Sequence, residues 1–219
     1  MYKESYFSPA CLEATVKRLA RDLTGYERHP GPCDPWAHPD SALLVIDMQH
    51  YFLDPGSHAF VPSAPELVPG VLRLIDAFAL RARPIFFTRH GNTPDDGSAM
   101  TRWWGGVLEK GSAHWPLDKG LADHAPASQI IDKTRYDAFC ATDLEMRLQN
   151  AAVGALHICG VMTHLCCETT ARSAFVRGYE VFMVADATAT YHYDLHLGAL
   201  RGLAHGFARI AWTKDYVAT

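Results

Sequence analysis

The sequence predicts an α/β fold, a doubly wound, mostly parallel six-stranded sheet with helices on both faces, and three observations carry that expectation. Six short strand-like runs recur along the chain, interleaved with stretches of helical spacing or polar connectors. The first of them, ALLVI at 42–46, lacks the in-out alternation of a half-exposed strand, as expected of a strand covered on both faces of a parallel sheet. The 219 residues are 48% hydrophobic and 20% charged, which fits a core able to fold without disulfides or structural metal. One domain over 1–219 is therefore expected, with 1–41 as an N-terminal helix and connector.

Taken in order, Leu12, Val16, Leu19 and Leu23 fall on one side of a surface helix that begins after Ser8-Pro9. Residues 24–41 are polar and proline-rich and read as a connector. The run 42–46 stops abruptly at Asp47. Helical spacing follows over 66–81, at Leu67, Val71, Leu74, Ile75 and Phe78, and 84–88 is the second strand. The stretch 89–128 is rich in Gly and Trp and shows little periodicity; loops of that length serve as lids, binding loops or partner contacts. Beyond it lie a short strand at 129–132 and a helix at 142–150. Strands at 155–159, 181–185 and 208–212 alternate with helices at 165–177, closed by Gly178, and 194–205, closed by Gly206. That alternation implies a parallel sheet.

Composition removes several function classes. A formal net charge of -4, with twelve histidines counted neutral, offers no field to attract nucleic acid or an acidic membrane. No apolar run approaches the roughly 20 residues that span a bilayer. The first residues lack the apolar stretch and small-residue cleavage site of a secretory signal. Six cysteines without a C-x-x-C pair suit reduced thiols, so the expected compartment is the cytoplasm and the expected partner a small molecule.

Reactive groups concentrate where strands end, which is where open α/β sheets bind ligands. Asp47 terminates the first strand; a partly desolvated carboxylate there works as a proton acceptor, the alternative being a cap on the next turn. In GVMTHLCCETTARSAF, Cys166 falls in the first turn of a helix. Free backbone N–H groups there favour a thiolate and can hold an oxyanion. Helical spacing places Cys167 with Thr170, Ala171, Ala174 and Phe175, an apolar stripe facing the sheet. Cys166 shares its side with Thr169, Thr170, Ser173 and Arg177, so Cys167 reads as a packing thiol and Cys166 as the candidate nucleophile. Lys133, just past the third strand, can lower a thiol's pKa or support a leaving group; an exposed loop lysine is the alternative.

Asp47-Met-Gln with Phe52 downstream, Lys133 followed by Tyr136-x-Ala-Phe, and Gly160-Val161-x-Thr-x-x-Cys166-x-x-x-Thr-Ala171 together resemble the isochorismatase-like hydrolase superfamily, over about 41–213. The resemblance implies a Rossmann-like sheet and an active site of Asp47, Lys133 and Cys166. It also implies a cis peptide at Val161–Met162 and an oxyanion site on the N–H groups of Met162 and Cys166. DMQHYF, Trp103-Trp104-Gly105-Gly106 and GVMTH resemble true isochorismatases, which cleave a vinyl ether. Those enzymes usually carry glycine where Cys166 stands and glutamine near His90. A thiol suits acyl transfer through a thioester. The expected function is therefore hydrolysis of the C–N bond of a small amide or ureide. A vinyl ether hydrolase and a non-catalytic binding or assembly member are the alternatives. Nicotinamidases hold a metal through an Asp and a tryptophan-linked histidine pair after the second strand. Here that region reads TRHGNTPDDGSAM, without the pair, so neither metal nor other cofactor is expected.

Among other signals, His192 and His196 stand four apart and would be a solvated pair on a surface helix rather than a zinc site. Phe52, His90, Trp103, Trp104 and Tyr136 are the candidate substrate-binding residues, with Trp115 as a further wall or subunit contact. Relatives are commonly dimers or tetramers, so a homodimer or homotetramer is expected.

Overall fold

The apolar runs become the strands. The computed structural model describes residues 2–30, 33–93, 96 and 99–216. Its strands are β1 (Ser41–Ile46), β2 (Ile85–His90), β3 (Ile130–Lys133), β4 (Ala155–Val161), β5 (Glu180–Ala189) and β6 (Arg209–Ala211). Its α-helices are α1 (Leu12–Leu23), α2 (His50–Leu53), α3 (Val68–Ala79), α4 (Ala99–Trp104), α5 (Lys119–Ala122), α6 (Leu144–Asn150), α7 (Glu168–Val176) and α8 (Tyr193–Gly206).

The strands lie in the order β3-β2-β1-β4-β5-β6, and every neighbouring pair is parallel. Every residue of β1 and of β4 is buried, which is why neither run alternates. From β1 the chain builds outward to β3, then returns to β4 and builds the other way to β6. Right-handed crossovers put the connecting helices of the two halves on opposite faces. Accordingly α3 packs over β1 and β2, while α7 and α8 pack on each other and on β5. Leu19 and Leu23 of α1 are buried, and α1 lies against α8. The sheet is thus doubly wound, as expected, and wholly parallel.

The order reverses between β1 and β4, so a crevice opens beyond their carboxyl ends. Gly160 makes that junction close. It pairs with Ile46, has φ 111°, and a Cβ there would stand 2.1 Å from the Ile46 carbonyl oxygen. Only glycine tolerates both conditions.

Several boundaries differ from the expected ones. The helix expected at 66–81 divides into a 3-10 turn, Pro65–Leu67, and α3, with Pro at its start where a missing N–H costs nothing. The helix expected at 165–177 begins as a π-helical turn, Thr163–Cys167, before α7. Strand β5 runs past the expected 185 to Ala189, because a register shift opposite Ile158 and Gly160 lets pairing resume. The loop 89–128 carries α4 and α5 and is pinned by isolated bridges, Gln49 to Leu117 and Asn92 to Glu109. Within it Pro94, Asp95, Gly97 and Ser98, part of the segment TRHGNTPDDGSAM, lie outside the described residues.

Candidate active site

Asp47 follows β1 directly, Lys133 closes β3, and Cys166 sits in the turn after β4. Three strand ends therefore deliver the three groups to one place. Asp47 is fully buried and has φ 48°, a left-handed conformation that few residues but Asn and Asp adopt and that recurs at functional sites. The Thr88 hydroxyl fixes it, accepting from the Asp47 N–H at 3.1 Å and donating to Oδ1 at 2.5 Å.

Lys133 links the other two. Its Nζ lies 2.6 Å from Asp47 Oδ2, donates to Cys166 Sγ at 3.4 Å, and donates to the Arg135 carbonyl at 3.0 Å. The Asp47 contact is an ion pair at hydrogen-bonding distance. Neither side chain of that pair reaches solvent.

Electrostatics follow from burial. Burial alone would depress the Lys133 ammonium, but the charges of Asp47 and Cys166 override it and push it up to about 12. Burial raises the Cys166 thiol to about 12, with Asp47 adding to the rise and Lys133 opposing it. The thiol is thus neutral at rest, beside the Lys133 ammonium. Losing the thiol proton to solvent would add a net buried charge. Passing it to Asp47 leaves the net charge of the cluster unchanged. That internal transfer is the inexpensive route to a thiolate.

Cys166 lies on the wall of a small cavity that is partly open to solvent. Tyr51 and Phe52 of α2, Met100 and Trp104 of α4, Tyr136 and Tyr191 supply aromatic and thioether walls. Trp104 Nε1 donates to Tyr136 Oη at 2.6 Å, which ties α4 to the segment after Lys133. No lysine or arginine lines the cavity among the described residues. Met162 also lines it, and the Val161–Met162 peptide is cis.

Of the candidate binding residues, Phe52, His90, Trp104 and Tyr136 line the cavity, and Trp103 does not. Trp103 is 81% exposed, because successive helical residues point about 100° apart and Trp104 takes the inward position. Trp115 instead lies under the Arg89 guanidinium, 3.9 Å from its ring. Cys167 is fully buried with Ala171 and Ala174, as the helical count expects, but Phe175 leaves that stripe and is 48% exposed. Cys166 itself is buried against the cavity and does not share a solvent face with Arg177.

Two residues that spacing did not mark as site groups hold it together. Gln49 is fully buried; its amide donates to the His90 and Trp115 carbonyls at 2.9 and 2.6 Å and accepts from the His90 N–H at 2.8 Å. Thr88 is the other. A polar residue two places beyond the strand-ending Asp, within an otherwise apolar stretch, is the signal for Gln49. Thr88, one threonine in a strand, offers none.

The family model of the isochorismatase domain matches residues 41–215. The chain belongs to the isochorismatase family. It is 37% identical over 171 residues to Nicotinamidase 3 of Arabidopsis thaliana, covering 77% of this chain and 82% of that protein. It is 30% identical over 164 residues to an isochorismatase of Bacillus subtilis, covering 73% of this chain and 51% of that one. A solved cysteine hydrolase from Pseudomonas syringae superposes with a TM-score of 0.78 at 26% identity, covering 85% of this chain and 96% of that one. The likeness to a nicotinamidase therefore spans most of this family member, although its 88–100 segment lacks the histidine pair. Among the described residues no group of three or more His, Cys, Asp or Glu is placed to hold a metal ion.

His192 and His196 of this isochorismatase-family chain are not a solvated pair. His192 caps α8, accepting from the Leu195 N–H at 3.4 Å. His196 is fully buried with Nδ1 2.8 Å from Thr163 Oγ1, which corrects the expectation of a surface pair. Burial holds His90 down at about 4, with Lys133 adding to the effect, and holds His157 and His196 at about 3. Each pKa is lower folded than unfolded, so the stabilisation is complete above about 6.5 and is lost as pH falls toward 4 and 3. Urea midpoints measured from pH 7.5 to 4.5 are expected to fall steadily below pH 6.5, with His90, His157, His196 and the likewise depressed His164 each taking up protons on unfolding. A flat midpoint between pH 6.5 and 4.5 would contradict these assignments.

Proposed function

We propose that this chain hydrolyses the C–N bond of a small, uncharged amide or ureide, with Cys166 as nucleophile, Asp47 as proton carrier and Lys133 as their electrostatic partner. The observation that carries the reading is the buried contact chain Asp47–Lys133–Cys166 at the wall of an apolar cavity. Asp47 takes the thiol proton, and the sulfur attacks the substrate carbonyl carbon. The N–H groups of Met162 and Cys166 receive the oxyanion. Asp47 then protonates the departing nitrogen, the C–N bond breaks, and a thioester remains. Water, giving its proton to Asp47, hydrolyses that thioester and the thiol is restored.

Phe52, His90, Trp104 and Tyr136 bind the substrate in this reading. His90 is held neutral by burial and Lys133 is already paired, so among the described residues the cavity offers no free cation for a carboxylate. That disfavours isochorismate, a dicarboxylate, although one relative is named for cleaving it. Similarity to a nicotinamidase and to a cysteine hydrolase supports amide chemistry. A cytoplasmic location is supported by six cysteines that are all free. A homodimer or homotetramer is supported by Trp103, which at 81% exposure suits burial against another copy. No described helix is long and apolar enough to cross a membrane.

The test is a panel of aromatic and aliphatic carboxamides, carbamoyl compounds and isochorismate, read for ammonia and for pyruvate. Ammonia release from an uncharged amide is expected. Pyruvate release from isochorismate without ammonia release from any amide or ureide would overturn the proposal in favour of the vinyl ether reaction.

A further inference from the structure

The family match begins at residue 41, yet residues 3–7 run along the rim of the cavity. Lys3 Nζ donates to the carbonyls of His58 and Phe60 at 2.7 and 2.8 Å. The same ammonium lies over the Tyr191 ring, 4.4 Å from its centre. Glu4 fixes the second side: its N–H donates to the Tyr191 carbonyl at 2.8 Å, and its carboxylate accepts from the Tyr193 N–H at 2.6 Å. Tyr6 Oη accepts from the Thr190 N–H at 2.8 Å, while the N–H groups of Tyr6 and Phe7 both donate to Ser63 Oγ at 3.0 Å.

These contacts join two separate walls. His58 and Ala59, from one chain segment, and Tyr191, from another, both line the cavity. His58 is also within 2.9 Å of the Tyr51 hydroxyl, so a shift at 58 reaches a third lining residue. Nothing in 3–7 touches Asp47, Lys133 or Cys166 among the contacts of those residues.

We propose that the segment 3–7 is a strap that sets the width of the substrate cavity by tying the 58–63 wall to the 190–193 wall, with Lys3 as the positioning residue that joins them. Lys3 serves the site without being catalytic. Its ammonium satisfies two carbonyls on one wall and one aromatic face on the other, which a neutral side chain of equal length does not do. Loosening the strap widens the cavity and weakens selection by size, while the reacting groups on the strand ends stay in place.

Lys3→Met keeps the stem and removes the donors; Lys3→Arg keeps charge and donors. Two readouts separate this proposal from the amidase reading on which its kinetic arm rests. The first is the rate at which iodoacetamide and its bulkier N-phenyl analogue alkylate Cys166, followed by peptide mass spectrometry. Their ratio cancels the thiolate fraction and needs no substrate. In Lys3→Met the bulky reagent is expected to gain about fivefold relative to the small one, on the scale of one lost charged hydrogen bond, with Lys3→Arg near wild type. The second is turnover of the best small amide, where KM should rise about fivefold with little change in kcat. Ser63→Ala loosens the opposite end of the strap and should shift the alkylation ratio the same way, which keeps the test open if Lys3→Met folds poorly. An unchanged ratio in both variants, or a drop in kcat and thermal midpoint without a change in the ratio, would reduce the segment to a structural tail and overturn the proposal. If no amide is turned over, the alkylation ratio still decides the strap.

Discussion

Cys166→Ala is expected to lower turnover of an amide substrate by about 10⁵-fold or more, the scale of losing a covalent nucleophile, while the protein stays folded. The thiol is 4% exposed and touches the cavity, so its removal leaves a small void and disturbs no backbone bond. Cys167→Ala is the control. Cys167 is fully buried against the sheet side of α7, and burial holds its thiol in the neutral form. That substitution should cost stability of the order of a lost buried side-chain atom, about 1 kcal/mol, and leave most of the activity. Quenching the wild-type reaction early should show an acyl adduct on the peptide carrying Cys166. The vinyl ether route needs a proton donor and no nucleophile. Pyruvate release that persists in Cys166→Ala, with no adduct under any substrate, would therefore transfer the chemistry to Asp47 alone.

Why so much of this site is legible in the sequence, and where legibility stops, follows from how each residue is positioned. Asp47 and Lys133 stand at or just past the ends of strands, and a strand end is visible as the point where an apolar run stops. The doubly wound sheet then brings such ends together. Cys166 is separated from Cys167 by the stripe of buried small residues at Ala171 and Ala174, which periodicity reports well. It fails at Phe175, the penultimate residue of α7, where packing no longer requires an inward residue. Trp103 and Trp104 cannot be told apart by spacing, since α4 has no buried residue and hence no apolar period. Their difference is set by one long-range hydrogen bond, Trp104 to Tyr136, across 32 positions. His196 misleads for the opposite reason: a polar residue in a helix reads as solvated, yet His196 is buried in the core with its Nδ1 bonded to Thr163 on another element. Thr88 acts through a contact across 41 positions, and such a contact leaves no local pattern.

Substitutions in the Asp47–Lys133 pair are expected to separate stability from activity. Both side chains are wholly buried with 2.6 Å between their charged atoms, so each charge depends on the other for compensation. Lys133→Met leaves a buried carboxylate with only the Thr88 hydroxyl to donate to it, and Asp47→Asn leaves a buried ammonium beside a neutral amide. Each single change is expected to destabilise by about 3–5 kcal/mol, the usual cost of stranding one partner of a buried pair. The double substitution Asp47→Asn with Lys133→Met strands neither charge. It should recover a large share of that loss, giving a coupling of at least about 2 kcal/mol in a double-mutant cycle measured by urea unfolding. Activity should behave otherwise. Without Asp47 the thiol has no internal proton acceptor, and without Lys133 the charged state that follows transfer has no counter-charge. The double variant should therefore be clearly less destabilised than the two single losses added together, and as inactive as Cys166→Ala. Additive destabilisation would show that the two charges are separately solvated and would remove the electrostatic basis of the proton transfer. Recovery of activity along with stability would show that neither group moves the proton, leaving Cys166 in need of another base.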